Sequence, residues 1–341
     1  MKAIALDASH TRFVLAEGTD NGKDVSLSRV LTVDIPTGSV ADGIISDLSA
    51  VRSALEVALK ANKVRTKPVV VTVNSNTQIT RRLDVPQAKD KDMPNLVEME
   101  MRQFLPTGRP YIVDYVTLGE TVSAHGSTMV SVKASALPAE LCEGYYRLLS
   151  ELHLRPHKLD VHQQVLGKLF SPKVRINMKD IGNRVVVAVD LGNFQTTLTV
   201  VIQGEVDLTR SIPVGLNNME RMVADRMQGT PEEARQYIRQ RMDVHREQTD
   251  AADSARRFYG QIITEIRKIQ QYIRAKNIQE PTMVFLYGVG SGLNGLDAFL
   301  SESLETETET VNQHSRIHMP PDDRTSPLAN YLQAAGALLR S

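Results

Sequence analysis

Two segments half a chain apart share one pattern: Ile4-Ala5-Leu6-Asp7-Ala8-Ser9 and Val187-Ala188-Val189-Asp190-Leu191-Gly192. In each, a short apolar run meets an aspartate, then a turn carrying hydroxyl groups, then a second apolar run. Apolar runs of this length bounded by turn residues read as buried strands, so each segment predicts a hairpin. Self-similarity across half a chain predicts two related halves. The 341 residues, 41% hydrophobic and 23% charged, suffice for more than one core. The 40 basic residues balance the 40 acidic ones, so no polycation for nucleic acid and no acidic tail is expected. One cysteine, Cys142, and eight scattered histidines exclude a disulfide framework and a spaced zinc site. The N-terminal apolar run stops at Asp7, too early for a signal-peptide core, and no apolar stretch reaches the roughly 18 residues that cross a bilayer. A cytoplasmic location is expected, with any membrane association through a partner.

Between the repeats, Ile44 to Asn62 reads as a helix leading to a strand at Val69 to Val73. From Arg81 onward the order is strand (Ile79 to Val85), helix (Asp92 to Phe104), strands (Ile112 to Leu118, Met129 to Ala136) and helix (Ala139 to Leu152), an α+β insertion. A helix from Asp160 to Phe170 follows. After the second repeat come helices near Asn217 to Met227, Pro231 to Met242 and Ala252 to Lys276, then a buried strand at Met283 to Tyr287. The turn Gly288-Val289-Gly290-Ser291-Gly292 opens a helix at Leu293 to Leu304, and Pro327 to Leu339 closes the chain as a helix. The alternating Thr and Glu of Glu302 to Glu309 read as a solvated helix end or loop.

Three turns carry what a polyphosphate and its magnesium require: backbone donors, one or two carboxylates for metal-bound water, and little bulk. The first has Asp7 with Ser9, His10, Thr11 and Arg12; the second has Asp190 with Gly192, Asn193, Thr196 and Thr197. The third has Gly288, Gly290, Ser291 and Gly292 before a helix, where orphan amides favour an anion. Each has a plainer reading, as an ordinary turn or helix cap, and the third lacks both the Lys-Ser/Thr of a P-loop and the G-x-G-x-x-G spacing. Their joint order is the informative feature.

That order resembles the actin-like ATPase superfamily, with Asp7 to Arg12, Asp190 to Thr197 and Leu286 to Leu296 similar to its two phosphate motifs and its adenosine motif. Within it, the chain resembles the type IV pilus assembly protein PilM family. The resemblance extends through Glu100-Met101-Arg102-Gln103-Phe104-Leu105-Pro106, through Tyr145 to Leu149 with Leu154-Arg155-Pro156 and Leu159-Asp160-Val161, through Glu265 to Tyr272, and through Ser326 to Ala329 with Gly336 to Arg340. Three positions depart from the family pattern: Ser9 replaces a glycine, Val289 the second of a glycine pair, and His162 a glutamate. His162 reads as an ordinary helix-surface histidine.

The resemblance implies an α/β, actin-like ATPase fold of two related halves with an inserted α+β subdomain. Residues 1–80 and 157–185 would form the first half, 81–156 the insertion, 186–315 the second half, and 316–341 a helix packed back on the first. It implies ATP or ADP with Mg in a cleft between the halves. Asp7 and Asp190 would serve the metal; Ser9, His10, Thr11, Arg12, Gly192, Asn193, Thr196, Gly288, Gly290 and Ser291 would hold phosphate and nucleoside, with Glu265 and Lys268 on the helix beside it. Hydrolysis would be slow at most. It further implies an adaptor that recruits the N-terminal cytoplasmic tail of a PilN-like bitopic membrane protein into a groove between the first subdomain and the insertion, lined by segments 72–84 and 97–106. The pilus assembly ATPase and further copies of the chain are other implied partners. A small-molecule kinase of the same superfamily would need a positioned general base, for which no recognisable acidic motif is present. An FtsA-like protein would end in a basic amphipathic helix, whereas Asn330 to Ser341 is small and nearly uncharged. The cytoplasmic part of a type II secretion platform protein would continue into a transmembrane helix.

Overall fold

The computed structural model describes residues 1–9, 11–122, 126–278, 283–319 and 327–340. It divides into two compact units: Met1–Asp7, Val14–Leu31 and Asp160–Ser341 in the first, Ala8–Phe13 and Thr32–Leu159 in the second.

The first unit contains a five-stranded sheet in the order Glu205–Ile212, Thr196–Ile202, Val185–Leu191, Met283–Tyr287, Thr308–Thr310. The first three strands form an antiparallel meander, and Val185–Leu191 then pairs in parallel with Met283–Tyr287. A parallel neighbour requires a long crossover, here through the helices Leu216–Met227, Pro231–Gln240 and Asp250–Ala275. Val185 to Val189 and Met283 to Tyr287 are wholly buried, as expected of central strands covered on both faces. The helix Pro231–Gln240 starts at a capping box, Thr230 with Glu233, with proline in its first turn. Asp250–Ala275 is capped by Thr249, which accepts from the N–H of Ala252, and it buries Ala255, Phe258, Ile262, Ile266, Ile269 and Ile273 at helical spacing. Burying those side chains with Val187, Val189, Val284 and Leu286 forms the unit's main core. A second run of neighbouring strands, Lys2–Ala8, Arg12–Asp20 and Val25–Asp34, ends on Ile317–His318, parallel to Val25 and Ser26.

In the second unit, Asp47 caps the helix Leu48–Ala61 by accepting from the N–H of Ala50 at 2.9 Å. Residues 79–138 hold a separate antiparallel sheet in the order Ile79–Pro86, Thr128–Pro138, Tyr111–Val122. The helix Met93–Arg102 lays Met93, Val97 and Met101 on the sheet face that carries Val85, Val132, Ala134 and Ala136. The period-2 pattern of these strands gives them one apolar face, and the helix covers it.

Several sequence expectations are corrected. Thr308–Thr310 is a buried sheet strand, with Val284 opposite Thr308 and Leu286 opposite Thr310. Glu302 to Leu304 are a helix end and Glu305 to Glu307 a loop, as expected, whereas within the strand the alternation is its two faces: Thr308 and Thr310 are buried, and the Thr310 hydroxyl donates to Asp297 Oδ1 at 2.7 Å. The helix expected from Asp160 begins at His162, because Asp160 and Val161 still belong to the strand Arg155–Val161. The helix expected at Leu293 begins at Leu296. The closing helix is a 3-10 turn, Leu328–Tyr331, followed by Leu332–Ala337, every residue of which is buried. There a β-carbon on Gly336 would lie 2.7 Å from atoms of Val165 and Leu169, so only glycine allows that approach to the helix His162–Leu169. Among the described residues no helix is long and apolar enough to cross a membrane.

Candidate functional site

In the first unit, strands of two sheets and one helix start bring together four polar side chains. Asp7 is the penultimate residue of the strand Lys2–Ala8 and Asp190 that of Val185–Leu191, so both aspartates belong to strands and not to the turns expected of them. His162 is the first residue of its helix, and its Nε2 lies 2.8 Å from Asp7 Oδ1. Their side chains are only 12% and 16% exposed. His162 is therefore no helix-surface histidine. Tyr287 stands opposite Asp190 in the parallel register, and its hydroxyl accepts from Gln333 Nε2 at 3.1 Å.

The electrostatics follow from this crowding. Burial is the largest influence on Asp190 and pushes its pKa up to about 7; the His162 ring pulls it down and Asp7 adds to the rise. Burial opposes a charged imidazole at His162, yet the Asp7 carboxylate, by charge and hydrogen bond, with Asp190 and Asp160 behind it, holds the ring above the ordinary histidine value. Burial raises the Tyr287 phenol, and Asp190 raises it further. The position of His162 is set by a buried ion pair beside it: Lys168 Nζ lies 3.1 Å from Asp160 Oδ2 and donates to Leu339 O at 3.1 Å.

The glycine turns fit closely against this cluster. Gly288 has φ +86°, and a β-carbon there would lie 2.3 Å from Asp190 Oδ1 and 2.9 Å from Leu191 O. The Gly288 N–H donates to Ala329 O, the Gly290 N–H to Leu191 O at 2.9 Å, and the Ser291 N–H and hydroxyl to Gly288 O. In the second turn the Gly192 N–H donates to Gln195 O at 3.1 Å, and the Thr196 hydroxyl to Val214 O at 2.7 Å. These donors, expected to face a phosphate, are engaged inside the protein. Asn193, at the tip of that turn, is half-buried, and its carbonyl accepts from the N–H of Asn217 at 3.0 Å.

Glu265 pairs with Arg210 at 2.9 Å and with Lys268 at 2.7 Å, a charged trio on the long helix and the neighbouring strand. In the second unit Ser9 closes its hairpin, its hydroxyl donating to Arg12 O at 2.5 Å, while Thr11 O accepts from the N–H of Ile35 and Arg12 faces Asp34 at 3.5 Å. His10 and Ser326 lie outside the described residues. Sequence reasoning missed the pairing of His162 with Asp7 and the roles of Tyr287, Gln333 and the Asp160–Lys168 pair. The one local mark was that Asp160 and His162 flank the junction of a strand and a helix, which names no partner for either.

The donor set was tested against the implied groups. A divalent ion with its water shell needs ionised carboxylate oxygens as ligands or as acceptors for its waters. Here an imidazole nitrogen already occupies Asp7 Oδ1, at 2.8 Å. The residues present do not fit magnesium, and that expectation is not carried further. For the nucleotide, the side-chain faces of Gly288 and Gly290 are filled by Asp190 and Leu191, while Gly292 is open to solvent with nothing against its missing side chain.

Solved structures share this architecture. A chain of the PilM-PilN type IV pilus biogenesis complex matches 100% of this chain and 99% of its own length at TM-score 0.76 and 20% identity. EutJ, an ethanolamine utilization protein from Carboxydothermus hydrogenoformans, matches 100% and 90% at 0.53 and 14%. MreB 5 of Spiroplasma citri bound to AMPPNP matches 98% and 94% at 0.54 and 11%. The paired sheets and their aspartate strands thus define an α/β protein of the actin-like ATPase fold. The model of the type IV pilus assembly protein PilM family matches residues 5–341, and the chain belongs to that family.

Proposed function

We propose that the chain is a nucleotide-binding adaptor of a type IV pilus assembly platform, binding ATP or ADP at the Asp7, Asp190 and Gly288 elements. It recruits the N-terminal cytoplasmic tail of a PilN-like bitopic membrane protein. It acts on the cytoplasmic side and reaches the membrane through that partner. The family match over residues 5–341 carries this reading, and the likeness to a PilM-PilN complex supports the choice of partner.

The second unit offers a receptor for an extended peptide. Ile79–Pro86 is an edge strand of its three-stranded sheet, a row of main-chain groups to which a tail adds as a further strand. Beside it, the Arg81 guanidinium sits 5.3 Å from the centre of the Phe104 ring, joining segments 72–84 and 97–106, and Met99 and Phe104 are 58% and 39% exposed. Such apolar exposure on one helix end suits the few anchoring side chains of a tail that orders on binding. The opposite edge, Tyr111–Val122, exposes Ile112, Val116, Leu118 and Val122 and is the surface for the other partners, the assembly ATPase or a second copy. Turnover belongs far below the enzyme median of about 10 per second, since function rests on occupancy.

The test is binding of a fluorescent tail peptide from the co-encoded single-span membrane protein to the full chain and to Phe104→Asp. The variant should lose about tenfold in affinity or more, equivalent to roughly 1.4 kcal/mol. Equal affinity of parent and variant overturns the assignment of this groove.

A further inference from the structure

The His162–Asp7 contact has a consequence for the nucleotide that rests on the reading just given. Two carboxylates beside a polyphosphate repel it, and a divalent ion ordinarily offsets that repulsion while its bound waters donate to the carboxylates. In this chain an imidazole nitrogen of His162 lies 2.8 Å from Asp7 Oδ1. The contact links residues 155 apart in sequence, and both side chains are largely enclosed. Its placement is fixed from behind, because Lys168 holds Asp160, two residues before His162, and the C-terminal carbonyl of Leu339. Asp190 is lodged against the Cα of Gly288, in a conformation that only glycine permits.

We propose that this chain takes its nucleotide free of divalent metal, with the His162 imidazole standing where a metal-bound water would donate to Asp7. His162 is a specificity-determining residue: it sets which form of the nucleotide is bound, the metal chelate or the free polyphosphate. Glu265, paired with both Lys268 and Arg210, is engaged away from this cluster.

The experiment is calorimetric titration of ATP into the full chain, once with magnesium and once with EDTA, for the parent, His162→Gln and His162→Glu. The parent should bind equally in both conditions, within about threefold. His162→Gln keeps an N–H donor for Asp7 and should behave as the parent does. His162→Glu adds a third carboxylate and should bind about tenfold or more weakly in EDTA than in magnesium. A parent that binds about tenfold tighter with magnesium overturns the inference and leaves the nucleotide reading standing. A parent that binds ATP in neither condition overturns the nucleotide reading and this inference with it. Circular dichroism of each variant separates lost binding from lost folding.

Discussion

A β-carbon on Gly288 would lie 2.3 Å from Asp190 Oδ1, so the third turn and the second aspartate strand fit only because residue 288 has no side chain. Gly288→Ala must also adopt φ near +86°, which L side chains rarely do. The expected cost is about 2–4 kcal/mol of unfolding free energy, read as a lower urea midpoint. The double variant with Asp190→Gly should recover only part, because Leu191 O, at 2.9 Å, and the dihedral remain. Full recovery would mean that the carboxylate alone sets the constraint.

Two buried groups drive stability in opposite directions with pH. Asp190 has its pKa raised to about 7, by burial first, so the folded state holds a proton that the unfolded chain gives up. Its contribution is present below the ordinary carboxylate value and is lost as pH rises through 7. His314 has its pKa lowered to about 4, by burial first, and its neutral ring lies 3.0 Å from Leu169 O through Nε2 and accepts from the Arg316 N–H through Nδ1. That contribution is present above the ordinary histidine value and is lost as pH falls through 4. Between about pH 4 and 6.5 the two slopes oppose each other. Asp190→Asn removes one of them, so its unfolding free energy should rise by about 3 kcal/mol across that window, more steeply than the parent's. Urea melts at a series of pH values check this, and a variant curve as flat as the parent's would contradict it.

Lys168→Met takes the ammonium from the fully enclosed Asp160 and from Leu339 O. Removing one partner of a buried pair typically costs about 3–5 kcal/mol. Adding Asp160→Asn should restore much of the loss, because the leftover charge is then gone. A thermal melt in which Lys168→Met matches the parent would show that the pair is dispensable.

The elements legible in the sequence are those buried on both faces. Met283–Tyr287 and the core strand at Val185 stand out as uninterrupted apolar runs, and Asp250–Ala275 as a helical stripe. Val25–Asp34 and Glu205–Ile212 escaped because they are half-covered, with polar residues interleaved among their apolar ones. Thr308–Thr310 escaped because its inward side chains are threonines, and the Thr310 hydroxyl finds its partners only once Asp297 and Ser291 are in place. At the site, Asp7, Asp190 and Gly288 were legible as residues of the right type in the right order. The His162–Asp7 bond was not, since nothing local to either residue specifies a contact across 155 positions. Nor was the internal use of the Gly192, Gly288 and Gly290 amides, which depends on how the turns pack.

The central claim is that a membrane protein's tail adds to the edge of the insertion's sheet. Hydrogen exchange of the full chain with and without the tail peptide, at low and high salt, measures this directly. The predicted result is slowed exchange confined to segments 72–84 and 97–106, little altered by salt, since the anchors are apolar and main-chain contacts. Slowed exchange confined to Tyr111–Val122, or in no part of the second unit, would contradict the account.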